Sequence, residues 1–421
     1  MGAGVDTVEA HWATELARLR NRGDPGVDSA IRAFRSKHPE LVSVRDLQRS
    51  VRSYLETEPV GEPPSDMAAL FDAVAAQPSW PRDRDLISEG QEVFEDAGLL
   101  MLVALVHLSL PLSYGSVGGA EALVRISDLA NGHLTRRVGE TGQLLMATMA
   151  RDGGTLEPGG DGYASVTGLR VFHGCARVLL VDVADYGWDR PRLGVPLNQE
   201  QLLAALVDFT FVTWAALERF GVSLTSRQRE AHLHLWSAIG DLMGLEACQR
   251  GPLQVEDVAA IAVLLERELA GSLAGQRLTA ALVDRMSALM PLGFARLPQT
   301  TVRWLFQGLT ERSDDVPDLL GVPAASPFLS RVLDGMRSLS AARVPRPLRA
   351  LRVVLIRSLG RKVLAGFVLG LSPEAAPFRL PTSLARRWHF RTGRVVTSAR
   401  TARCQARAGV RAAARAARRA R

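Results

Sequence analysis

Lysine is almost missing from this chain of 421 residues: Lys37 and Lys362 stand alone, and nearly every other cation is arginine. We attribute that preference to coding composition rather than to function. Cysteine is scarce too. Cys175, Cys248 and Cys404 lie far apart with no Cys-x-x-Cys pair, which excludes a disulfide framework and a thiolate zinc site and suits a reducing compartment. No apolar run is long: Ala97 to Leu112 is interrupted by His107 and falls short of the roughly 20 residues of a membrane span, so a buried helix is expected there. The first ten residues lack a basic start followed by an apolar stretch, so no signal peptide is expected and a cytoplasmic location is.

Several familiar chemistries are excluded in the same way. There is no Gly-x-Ser-x-Gly elbow, no His-Glu-x-x-His, no calcium loop and no dinucleotide fingerprint. The glycine-rich stretch Asp152 to Gly162 is not closed by Gly-Lys-Ser/Thr, so it is a turn or loop and not a phosphate cradle. His232 and His234 are two apart on a helical stretch, about 200° around the axis from each other, and cannot grip one ion. They are expected to be structural.

The charge is uneven. The formal net charge is +7, yet the stretch from Arg386 to Arg421 holds twelve arginines and no acid, leaving the body mildly acidic. Nucleic-acid binding by the body gains no support from that balance. In the tail, Arg400, Arg403, Arg407, Arg411, Arg415 and Arg418 recur at three- and four-residue steps amid alanine. If helical, that is one cationic stripe able to touch an anionic membrane surface weakly.

Hydrophobic residues make up 47% of the chain and charged residues 23%, a composition that builds a substantial core. Helical periodicity dominates and no segment alternates with period two. The fold class is therefore all-α: one large helical domain with helical extensions at both ends. The expected divisions are an N-terminal extension over 1–64, the main domain over 65–345, a helical segment over 346–385 and a basic tail over 386–421. Within the main domain, Asn198 with Gln201 and Thr225 with Gln228 have the spacing of capping boxes. Gly221 and Gly244 close the helices that follow, and Thr167 is expected to cap a helix over 168–181.

That last helix is the most informative stretch. At 3.6 residues per turn, Arg170, His173 and Arg177 share a face with Leu169, Ala176 and Leu180. An imidazole between two guanidiniums on a partly apolar face is unusual, although a structural histidine with two solvated arginines is the ordinary reading. Arg137 and Thr141 are likewise four apart beside Leu144 and Leu145, where a surface arginine and a threonine bonded to its own helix would suffice.

Taken in order, Arg137-Val-Gly-Glu-Thr141, Leu169-Arg-Val-Phe-His-Gly-Cys-Ala-Arg177, Gly194-Val-Pro-Leu-Asn-Gln199, Phe209 and His234-Leu-Trp-Ser-Ala-Ile-Gly240 with Gly244 are similar to one known family. The stretch from Leu86 to Pro323 resembles the catalytic domain shared by latex-clearing rubber oxygenases and the oxygenase MpaB. The resemblance implies an all-helical domain binding haem b, with His173 as the proximal iron ligand and dioxygen as co-substrate. It implies Arg137 and Thr141 on the distal side and Glu121 as the nearest match to a distal base. Rubber-cleaving members carry lysine where this chain has Glu140, which points away from rubber itself. Arg170 and Arg177 are expected, from helix phase, to pair with haem propionates.

The expected activity is oxidation or cleavage of a carbon–carbon double bond in a hydrophobic, isoprenoid-like small molecule. The alternative is a non-catalytic lipid- or terpenoid-binding protein brought to membranes by its basic tail.

Overall fold

A computed structural model describes residues 2–39, 66–126, 134–149, 151, 156–290, 293–310, 312–338, 384 and 388. Every regular element among them is helical. The helices are α1 (Gly2–Leu19), α2 (Pro25–Lys37), α3 (Met67–Val74), α4 (Arg84–Tyr114), α5 (Val117–Ile126), α6 (Leu134–Met149), α7 (Asp161–Asp182) and α8 (Gln199–Arg219). They continue as α9 (Ser226–Leu242), α10 (Val255–Arg267), α11 (Leu273–Ala288), α12 (Leu297–Phe306) and α13 (Pro327–Ser338), with short helical turns between.

The axis of the fold is α4. Its middle, Leu99 to Val106, is buried without interruption, which a helix tolerates only when protein surrounds it. The largest neighbour is α9, and Gly90 lets the two approach: a Cβ there would lie 2.6 Å from the carbonyl of Ala231. The helix starts at an Asp83 cap, whose carboxylate accepts from the amides of Asp85 and Leu86. It runs on past Pro111 because a π-helical turn over Leu105–Ser109 precedes the proline. There the Leu110 amide reaches back five residues to Leu105, widening the helix where the proline ring would otherwise clash and a bond would be lost.

A second π-helical turn, Asp208–Val212, interrupts α8 and packs against the first. The carbonyl of Asp208 accepts from Ser109 Oγ at 3.0 Å and Thr213 Oγ1 at 2.8 Å. The two irregularities are thus joined through hydroxyls. Three helices, α4, α7 and α8, are long and apolar enough to cross a membrane by length and composition, which the interrupted run 97–112 alone was not expected to be. Most of each apolar window is buried inside the fold, so packing accounts for the apolarity.

The caps follow the sequence with two departures. Thr225 and Gln228 form the reciprocal box, whereas Asn198 caps the Gln201 amide with no return bond from the Gln201 side chain. Thr167 is not a cap: α7 begins six residues earlier, after Gly160, and Thr167 is buried inside it. Packing of the Tyr163–Val166 turn against the main core overrides the capping preference of threonine.

The described N-terminal helix and Trp388 are built into the domain. Trp12, Leu16 and Leu19 of α1 belong to the main core, and Trp12 Nε1 donates to Asp257 of α10 at 3.0 Å. The region 1–64, expected as an extension, therefore contributes core through its described part. Within the expected basic tail, Trp388 is buried on α4. Its indole donates to the Glu95 carbonyl at 2.9 Å and meets the edge of Phe94, in the gap left by Gly98, where a Cβ would lie 2.7 Å from Trp388 Cζ2. The arginine stripe from 400 onward lies outside the described residues.

Gly90→Ala is expected to cost about 1–3 kcal/mol, because the methyl meets backbone that cannot move aside; urea unfolding of the variant measures it. Acid is expected to weaken the fold. Burial holds His107 down to about 4 and His232 down to about 3, so the unfolded chain takes protons that the folded chain refuses. The stability that depends on these neutral imidazoles is present above 6.5 and is lost as pH falls toward 4. Thermal midpoints between pH 7.5 and 4.5 should fall less steeply for His107→Leu than for the parent.

Candidate functional site

The candidate residues are carried by three helices, with α7 packed against both α5 and α6. Each face of α7 has its own sequence pattern. Val171, Cys175 and Val178 join Val27, Ile31 and Phe34 of α2 and the apolar side of α3. Phe172, Ala176, Leu179 and Leu180 join Ala122 and Ile126 of α5. Gly174 permits the first of these contacts, since a Cβ there would stand 2.4 Å from Val27 Cγ1.

His173 falls between the two faces and is half-buried, with its ring tilted against Phe172. Glu121 sits on α5, half-buried and paired with Arg125 one turn on. The Arg125 Nε also donates to the Tyr186 carbonyl at 2.9 Å, and its guanidinium lies over the Trp188 ring. Thr141 is half-buried on α6. Arg137 lies on the same helix, but its side chain, like that of Glu140, falls outside the described residues. The fold thus brings the helices of His173, Glu121 and Thr141 together.

The two arginines flanking His173 meet protein carboxylates, and Arg170 also lines a surface cleft with Asp24, Gln199 and Gly244. Arg170 Nε donates to Asp24 at 2.7 Å. Arg177, only 3% exposed, donates through Nε to both oxygens of Asp28 at 2.8 and 3.0 Å and through Nη1 to the Leu197 carbonyl at 2.7 Å. Helix phase set them beside His173 correctly, but the propionate pairing expected of them competes with these bonds. Burial raises the Asp28 carboxyl above the ordinary carboxylate range, and the Arg177 guanidinium only partly offsets it.

Sequence reasoning missed Asp24, Asp28 and Leu197. Asp24 had a readable signal, since an acid before Pro-Gly is a common helix start, and here it caps α2 by accepting from Val27 N. Asp208 was missed as well. Burial alone raises its carboxyl well above the ordinary range. The pairing of Arg177 with a residue 149 positions away has no local signal.

His232 and His234 have separate structural partners. Trp214 Nε1 donates to His232 Nδ1 at 3.1 Å, and the Asp83 amide donates to His234 Nε2 at 3.2 Å beside the edge of Trp80. Among the described residues, no group of three or more His, Cys, Asp or Glu is placed to hold a metal ion. The donor chemistry on α7 is a single imidazole. Thr167 Oγ1 on α7 and Trp236 Nε1 on α9, which packs against α7, are buried with no partner among the described residues. Buried polar atoms in that condition mark places where something other than these side chains completes the bonding.

Comparison with known proteins bears on the family and the fold. Residues 91–419 match the family described as ER-bound oxygenase mpaB/B'/Rubber oxygenase, catalytic domain. The chain belongs to this family. Among solved structures, it is similar to one titled "Structure of Latex Clearing Protein LCP in the closed state", with a TM-score of 0.63 and 19% identity over 84% of this chain and 92% of that one. At that identity the likeness establishes the rubber oxygenase fold. No curated protein matches the chain by sequence. The family match begins inside α4, so Asp24 and Asp28, which hold the His173 helix, lie before it.

Asp28→Ala would leave the Arg177 guanidinium buried without its counter-ion. The expected cost is about 3–5 kcal/mol, far more than for Glu89→Ala, which removes the exposed partner of Arg227. Chemical denaturation of the two variants side by side checks the contrast.

Proposed function

We propose that this member of the rubber oxygenase family is a haem b-dependent oxygenase that uses dioxygen to oxidise or cleave a double bond in a hydrophobic, isoprenoid-like substrate. The observation that carries the reading is the convergence on α7 of three separate sequence elements: His173 itself, the Arg137–Thr141 helix and the Glu121 helix. The donor set suits such a cofactor. A haem supplies four nitrogens of its own and asks the protein for one axial imidazole, so a lone histidine on a rigid helix is enough where a bare ion would need several ligands. The orphaned Thr167 hydroxyl and Trp236 indole favour a polar-edged group beside α7 rather than a wholly apolar one.

When bound, the haem supplies iron for dioxygen chemistry. The residues of the chain have separate work. His173 holds the group on α7, whose two clamped arginines keep the helix from rotating. Thr141, and by the family resemblance Arg137, would supply hydrogen-bond donors to the oxygen chemistry. The Glu121 carboxylate serves as the base that takes a proton from the substrate, and Arg125, paired with it and anchored on Tyr186, keeps that carboxylate in one orientation. Arg170 and Arg177 act in this reading as clamps of the helix and not as propionate partners.

The apolar, bundled interior suits a hydrophobic small molecule, and the latex-clearing relative lends the isoprenoid class by analogy. We extend no role to the basic tail beyond weak contact with an anionic membrane surface.

A visible spectrum of the protein expressed with ample haem tests the class first. A Soret band is expected, and a purified protein without one would sink the proposal. His173→Ala is expected to lose the haem, whereas His234→Ala, which removes only the acceptor for the Asp83 amide, is expected to keep it. Retention by the His173 variant would assign the ligand elsewhere.

A further inference from the structure

Leu197 is the one non-glycine residue with positive φ among those described, at 51°. A leucine in the left-handed region is disfavoured by contact of Cβ with the following carbonyl, so such a residue persists only where its surroundings hold it. Arg177 Nη1 donates to the Leu197 carbonyl at 2.7 Å while its Nε is fixed on Asp28. The residues on either side are pinned by the same N-terminal strand of chain: the Val195 amide donates to the Arg20 carbonyl and the Gln199 amide to the Arg22 carbonyl. Gln199 Nε2 donates to the carbonyls of Gly23 and Gly244 at 3.1 and 3.0 Å.

The strained turn has two outputs. Immediately after it, Asn198 caps α8, accepting from the Gln201 amide at 2.8 Å. The Leu197 side chain packs into the cluster of Ala122, Ile126, Phe172, Ala176 and Leu180, the seam between α5 and α7. Its neighbours there are adjacent in sequence to Glu121 and to His173.

We infer that Arg177 is a positioning residue: anchored on Asp28, it locks Leu197 in its strained turn and thereby sets the start of α8 and the spacing of α5 from α7. An ordinary structural ion pair would join α2 to α7 and stop there. Here the same guanidinium also donates through Nη1 to a carbonyl of a third segment, and that segment packs its leucine against the cluster that joins the helices of the two candidate catalytic groups. Asp28, before the family match, becomes part of the device. The inference rests on the proposed function only for naming Glu121 and His173 as the groups so spaced.

Amide hydrogen exchange tests it without any need for haem, so a missing Soret band would overturn the functional reading and leave this test intact. Arg177→Lys keeps the charge on Asp28 but cannot reach both partners as the fork does. It is expected to raise exchange of the Gln201, Leu202 and Leu203 amides about tenfold, the size that release of left-handed strain implies. Leu197→Gly removes the strain itself, because glycine takes positive φ freely. Added to Arg177→Lys, it is expected to bring those amides back to within about threefold of the Leu197→Gly value. Leu197→Asn, which also tolerates this backbone region, is expected to suppress in the same way.

Unchanged exchange in Arg177→Lys would overturn the inference, as would a double variant whose effects simply add. Should Arg177→Lys fail to fold, Asp28→Asn loosens the anchor instead and is held to the same criterion of suppression at position 197.

Discussion

A guanidinium that is 3% exposed cannot be left without partners, and Arg177 draws three segments of chain together to meet that requirement. Asp28 of α2 supplies the carboxylate and Leu197 the carbonyl. Two turns back on α7, Arg170 does the same with Asp24. Beside these, Arg20 pairs with Glu200 of α8, and Arg22 with Glu246 after α9. The segment from Arg20 to Asp28 is thus the knot at which α1, α2, α7, α8 and the end of α9 meet. Partly exposed pairs such as Arg22 with Glu246 add little stability one by one. The buried one works by exclusion, since every arrangement that breaks it strands a charge in the core.

That constraint explains how a half-buried imidazole is presented reproducibly. His173 lies between Arg170 and Arg177 along the helix, so both turns flanking it are fixed to α2 while the apolar faces of α7 are filled on either side. Rotation of α7 would have to break two ion pairs and empty two clusters at once. A ligand position needs that rigidity, because a small displacement of the holding group is costly for chemistry at the held one. On the far partner, the Glu121 carboxylate is held by Arg125, itself anchored on Tyr186 and stacked on Trp188. Arginine, with a planar fork of several donors, serves all these joints where lysine would fill one bond at a time.

How much of this could be read beforehand follows from the range of the forces. Periodicity showed the all-helical class, and the Thr225–Gln228 box, Gly221 and Gly244 were legible because capping and left-handed turns are local chemistry. Thr167 was misread for the complementary reason: its preference for a cap is worth about 1 kcal/mol, and packing of the preceding turn outweighs it. The face of α7 was legible, but what stands opposite that face was not. Arg170 and Arg177 look available in the sequence because Asp24 and Asp28 are some 150 positions away and carry no mark of their destination.

The two π-helical turns show the same limit from another side. Pro111 would ordinarily break a helix, and this one runs on to Tyr114 because Leu105–Ser109 absorbs the extra room. The proline is the one mark of the irregularity within that apolar run; its partner is distant, since Asp208–Val212 of α8 lies against it and the Asp208 carbonyl takes the Ser109 hydroxyl. Each turn is a defect alone and a fit together. Strain at Leu197 obeys the same logic, being tolerable only where a distant guanidinium removes the alternative. In this fold, therefore, the local departures from regular geometry are matched to long-range polar contacts: Ser109 with Asp208 at the π-helical turns, and Leu197 with Arg177 on the helix that carries His173.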